Sequence, residues 1–220
     1  MVIKIVILHN IILISTVHNE IGKCNSDELS KILQSIKPDV IFLEAFENSY
    51  SDYHQMLFSQ FGIFNDRLEV KTMQIYSQSN IFEYVPVLDI GLSEEFEIKT
   101  KIISENISYQ RLLDNYILLE THGGFQFLNS IQSVKLQEEM RSLEYSIIND
   151  VKFHQLVNSS IDAYENSMLS NIYSYCKRKP FKTAIFMCGA AHRKTITEKI
   201  VEFEKKSEVK LNWSLYSSDV

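Results

Sequence analysis

The sequence predicts an α/β domain: a mostly parallel central sheet with flanking helices and a helical insertion before the last strands. Three observations carry that expectation. Short apolar runs recur at Asp39 to Glu44 (DVIFLE), Tyr84 to Ile90 (YVPVLDI) and Lys182 to Cys188 (KTAIFMC), the pattern of strands buried on both faces. An amphipathic helix joins an Ile-rich run near the N-terminus to the first of these, giving a strand–helix–strand unit that is right-handed by default. The stretch from Ser93 to Arg178 is helical in character, with few β-branched runs and no strong strand signal.

Taken in order, Val2 to Leu8 and Ile11 to Thr16 read as two strands joined at His9-Asn10, because Asn tolerates the positive φ of a tight turn. Asn25-Ser26-Asp27-Glu28 has capping-box spacing. Leu29, Ile32, Leu33 and Ile36 then place apolar residues on one helical face, and Pro38 stops the helix. Helical patterns fill Tyr50 to Gln78. Pro86 sits awkwardly inside the Tyr84 to Ile90 strand, since Pro favours sheet edges. Residues 93–180 form the helical insertion or lid, broken most clearly at His122-Gly123-Gly124. Glu94 and Glu95 suit the first turn of a helix after Ser93. A helix from Ala190 to Lys206 and a last strand within Val209 to Tyr216 complete the chain.

Composition narrows the class. With 220 residues, 45% hydrophobic and 23% charged, residues 1–220 can bury a core as one domain without disulfides or a structural metal. The net charge of −6 and the lack of a basic run argue against nucleic acid and anionic membranes as partners. No uninterrupted apolar run reaches the length of a membrane span. Three cysteines with no C-x-x-C speak against a disulfide scaffold and a zinc ribbon, and favour a reducing, cytoplasmic setting. The sequence does not specify an oligomeric state.

In open parallel sheets, ligands bind beyond the carboxyl ends of the strands. Four strands deliver ionisable residues there: His18 after S-T-V-H, Glu44, Asp89, and His192 in G-A-A-H-R. Two imidazoles and two carboxylates suit a divalent ion such as zinc, manganese or cobalt, which polarises a carbonyl or acidifies a bound water. A carboxylate outside the ligand shell takes the proton. Gly189 allows a sharp turn and close backbone approach. Each residue also has a plain structural reading: a strand-end acid caps the next helix or pairs with a base, and His192 caps its helix or packs in the core. A rival functional reading makes the N–H groups after Gly189, with Arg193 and Lys194, an anion site. Cys188 and His18 form a further candidate, a nucleophilic pair, set against the more frequent inert packing of a strand-end Cys. His54 and His154 fall in helical patterns as packing or surface residues.

At these residues the chain resembles the TIKI/TraB group and the related erythromycin-esterase/ChaN-like proteins. Ser15 to His18 stands in the place of a first G-x-x-H, Phe42 to Glu44 (F-L-E) in that of the strand-end acid, and Gly189 to His192 (G-A-A-H) in that of the second G-x-x-H; VPVLDI resembles the strand that ends in an acid, at Asp89. The resemblance implies an α/β core with a helical insertion and, in some members, divalent-metal-dependent hydrolysis of peptide or ester bonds; other members are linked to haem or iron handling or have no settled activity. In a hydrolase, His18, Glu44, Asp89 and His192 would be the metal ligands, and His18, Glu44 and His192 the catalytic residues, acting on a small molecule or peptide. It also departs from the pattern: Ser15 replaces Gly, no Arg follows Glu44 closely, and Glu165-Asn166 stands where relatives carry Arg-Asn or Arg-Asp. Glu165 then becomes a further ligand or substrate contact, or the fold retains a ligand- or anion-binding pocket without catalysis.

Overall fold

The structure, a computed structural model, describes residues 9–46 and 66–217. Five parallel strands form one sheet: β1 (His9–Thr16), β2 (Val40–Phe46), β3 (Glu83–Leu88), β4 (Thr183–Gly189) and β5 (Leu211–Leu215), in the order β3-β2-β4-β1-β5. Seven described helices flank it: α1 (Ser26–Ile36), α2 (Leu68–Ser77), α3 (Glu94–Ser104), α4 (Ile107–Leu128), α5 (Ile131–Ile147), α6 (Val151–Arg178) and α7 (Arg193–Lys206). The expected α/β architecture is what forms. The Val2 to Leu8 strand, His54 and the first part of the Tyr50 to Gln78 helical pattern lie outside the described residues.

Local sequence explains the helix ends. Asn25 accepts from the Glu28 N–H at 3.0 Å, as the capping box requires. Lys37 closes α1 in the left-handed region, its N–H donating to Leu33 O before Pro38. Leu29 and Leu33 on the inner face are fully buried, each adding about 1.5–3 kcal/mol of apolar burial. Pro86 is accommodated because β3 is an edge strand, paired only with β2.

One expectation is corrected. His9 and Asn10 do not turn; they open β1, pairing with Leu211 and with Asn212 and Thr183. Tertiary contacts override the turn preference: the His9 ring packs 4.4 Å from that of Phe181, and the Asn10 side chain donates to Lys182 O and accepts from Asn212.

Two apolar cores separate the layers. On one sheet face α1, α2 and the end of α4 cover Ile14, Ile41, Leu43, Ile185 and Met187. On the other, α6 and α7 cover Ile11, Leu13, Phe42, Ala184 and Phe186. The helices after β1 and β4 therefore leave toward opposite faces, although these strands are neighbours with Thr16 beside Gly189. That divergence opens a crevice at their carboxyl ends, the usual ligand position in such sheets. The region 93–180 is helical throughout, and its last helix, α6, packs along the sheet face. Within α4 the chain kinks at Gly124 (φ 58°, ψ −145°). There it meets Gly22 and Lys23 backbone to backbone, with Lys23 N–H donating to Thr121 O at 3.0 Å.

Candidate functional site

The strands that end at this crevice carry short polar side chains into it. Glu44, near the end of β2, is buried; its Oε1 accepts from the Tyr164 hydroxyl at 2.6 Å and its Oε2 from the Gly189 N–H at 2.7 Å. His192 ends the single 3-10 turn after β4. Its Nδ1 lies 2.8 Å from Glu165 Oε1, its ring stacks on Tyr164 at 5.4 Å, and its Nε2 faces Glu44 Oε1 at 3.8 Å. That last gap is too long for a hydrogen bond and suits one water touching both atoms.

Glu165 is the hinge of the arrangement. It is 1% exposed and projects from α6. Beyond His192 it accepts from Thr195 Oγ1 at 2.6 Å and pairs with Lys199 at 3.1 Å. Burial pushes its pKa upward, but the bonds from His192 and Thr195 and the nearby positive charges outweigh this and hold the carboxyl below its ordinary range. For His192, burial disfavours the cation. The Glu165 bond and the charges of Glu44 and Glu165 prevail, so its pKa lies above 6.5.

His18 stands at the neighbouring strand end with its side chain 53% exposed. Its Nδ1 lies 3.2 Å from Oε1 of the fully buried Glu69, which also accepts from Thr16 Oγ1 at 2.8 Å and, through Oε2, from Arg67 Nε at 3.2 Å. Arg67 Nη2 donates in turn to the Glu44 carbonyl at 2.8 Å. Burial works to raise the Glu69 pKa; the His18 bond and the Arg67 charge hold it below the usual value.

Glu44, Glu165, Gly189 and His192 thus meet. His18 is not in contact with this group: just past neighbouring β1, it pairs with a different carboxylate, Glu69. Asp89 is not brought in: it is exposed at the edge strand and accepts from Asn171 at 2.7 Å. Arg193 does not reach the crevice as an anion ligand. It is buried, donating to Asn129 Oδ1 at 2.7 Å, Ser15 Oγ at 3.3 Å and Tyr216 O at 3.1 Å. Lys194 pairs with Glu138. Gly189 has φ −54°, and a Cβ there would stand 3.5 Å from Glu44 Oε2, so neither strain nor crowding demands glycine; its contribution is its N–H. The Cys188–His18 pair does not form, because Cys188 is fully buried in the core with its thiol pKa pushed well above the ordinary value by desolvation. His154 stacks on Tyr145 and bonds Ile148 O at 2.6 Å, a packing role, while His122 is exposed on α4 beside the kink.

Tyr164, Glu69, Arg67, Thr16, Thr195 and Lys199 were not singled out from sequence. Arg67 is of interest because an Arg after Glu44 was missed there; it arrives 23 residues later and lies against the Glu44 backbone. For a divalent ion the fit is poor. Both Glu44 oxygens and His192 Nδ1 are engaged, and among the described residues no three His, Cys, Asp or Glu side chains gather as a ligand set. No family model, curated protein or solved structure matches this chain.

Proposed function

We propose that the chain is a hydrolase of ester or peptide bonds in which His192 is the general base. The observation that carries this reading is the buried Glu165–His192 pair at 2.8 Å, which turns Nε2 toward Glu44 across 3.8 Å. His192 Nε2 takes a proton from a water that also touches Glu44, and the water oxygen adds to the substrate carbonyl carbon. The imidazolium, stabilised by Glu165, returns that proton to the departing alkoxide or amine as the C–O or C–N bond breaks. Tyr164 and the Gly189 N–H orient Glu44, while Thr195 and Lys199 orient Glu165.

The resemblance to TIKI/TraB proteins supports the reaction class, hydrolysis of ester or peptide bonds, but not the metal-free role given to His192 here. The anion-binding alternative rests on the N–H groups after Gly189 with Arg193 and Lys194; Arg193 is buried with both Nη atoms bonded elsewhere and Lys194 pairs with Glu138, which weakens it. Three buried carboxylates, Glu44, Glu69 and Glu165, also favour a neutral or cationic ligand.

The test is turnover of an ester and peptide panel by untagged protein, with a chelator or with added manganese, cobalt or zinc. Turnover is expected to rise with pH through the elevated His192 pKa, and His192→Asn to remove about 10²–10⁴-fold. Activity confined to one added ion would restore the metal expectation. No turnover under any condition would sink the hydrolytic reading.

A further inference from the structure

His18, two residues past β1, repeats the surroundings of His192. In both places Nδ1 meets a buried glutamate, the same carboxylate oxygen accepts from a threonine hydroxyl, and the other oxygen meets a cation: Glu69, Thr16 and Arg67 in one, Glu165, Thr195 and Lys199 in the other. The two sets come from opposite layers, Glu69 from α2 and Glu165 from α6, and flank the crevice between β1 and β4. A wholly structural ion pair accounts poorly for the His18 copy. Burying Glu69 completely is costly, whereas pairing it with a ring more than half exposed returns little. The arrangement suits a ring fixed at Nδ1 so that Nε2 keeps a set direction, and His18 Nε2 has no hydrogen-bond partner among the described residues.

We infer that Glu69 is a positioning residue: supported by Thr16 and Arg67, it locks His18 as the Nδ1–H tautomer and presents Nε2 to the crevice as the site's second working imidazole. The working role rests on the hydrolytic reading; the lock does not. Long-range proton–nitrogen spectra of the full chain, at mildly alkaline pH, report which ring nitrogen carries the proton. Wild-type His18 is expected to carry it on Nδ1, and Glu69→Met to move most of the population to Nε2 while His192 signals stay in place. A wild-type His18 protonated on Nε2, or one unchanged by the substitution, overturns the lock. The wild-type spectrum decides this alone if the variant fails to fold. With a substrate that is turned over, Glu69→Met is expected to lower kcat about tenfold or more with KM within about twofold. A lost tautomer with normal kcat overturns the working role. Wild-type protein that turns over no substrate but shows the lock overturns the hydrolytic reading and that role together, leaving the lock established.

Discussion

Replacing Glu165 by Gln keeps the shape and an acceptor for His192 but removes the charge, so it isolates the ionic part of the site. At 1% exposure this carboxylate has no water to fall back on. Bonds to an ionised group contribute about 1.5–3 kcal/mol against 0.5–1.5 for neutral ones. Lys199 keeps Asp162 at 2.6 Å after the change, so the cost falls on the His192 pair, and the expected loss is about 2–3 kcal/mol, or roughly 4–12 °C for a chain of this length. The loss is pH-dependent with a definite sign. His192 has a folded pKa above 6.5, so its contribution is complete below 6.5 and fades as pH rises through the folded value. Glu165 has a folded pKa below 4.5, so its contribution is complete above 4.5 and fades as pH falls through the folded value. The pair therefore stabilises most between 4.5 and 6.5. Urea unfolding of wild type and Glu165→Gln at several pH values measures the difference; it should be largest within that window and shrink as pH rises through the folded His192 value. A cost that stays constant from that window into alkaline buffer would refute the coupling of these two groups.

Arg193→Met should cost about 2–4 kcal/mol in urea unfolding, since two buried bonds and one part-buried bond are lost, and leave turnover per folded molecule unchanged; lost turnover at full stability would restore its role as a ligand. Gly22→Ala should destabilise by about 1–3 kcal/mol, because φ is +51° and the new Cβ would lie 2.3 Å from Thr121 O; thermal melts check it. Asp89→Asn should change stability by no more than about 0.5 kcal/mol and spare turnover, given its exposure and its single side-chain bond to Asn171. Cys188 should resist a thiol reagent in the native protein and react on unfolding, as its complete burial requires.

The strands and helix starts were legible because they are written locally. DVIFLE reads as a buried strand without any knowledge of its neighbours, and Asn25 with Glu28 reads as a cap. His9-Asn10 misled because its fate depends on Phe181 and Asn212, far away in sequence. The strand-end rule picked out Glu44, His18 and His192, of which Glu44 and His192 come together. It also admitted Asp89, because chain order gives no strand order, and β3 stands at the sheet edge. Glu69 and Arg67 were illegible for a different reason. Glu69 lies in the first turn of α2, where an acid is ordinarily a solvated helix-dipole partner; only packing against Thr16 and His18 turns it inward.

Strand order also accounts for which site residues came together. Sites in doubly wound sheets form where consecutive helices part to opposite faces, and here that happens between β1 and β4. Residues just past those two strands, His18 and His192, border the opening, and Glu44 enters from β2 on the far side of β4. The Gly189 N–H, which in many such crevices would receive an external anion, is given to the Glu44 carboxylate. A protein carboxylate already fills the place of a bound anion, and the imidazole facing it, His192, is backed by a second, Glu165. That arrangement supports the proposed proton transfer to and from an uncharged group, and for the Gly189 N–H to hold a phosphate Glu44 would have to leave it first.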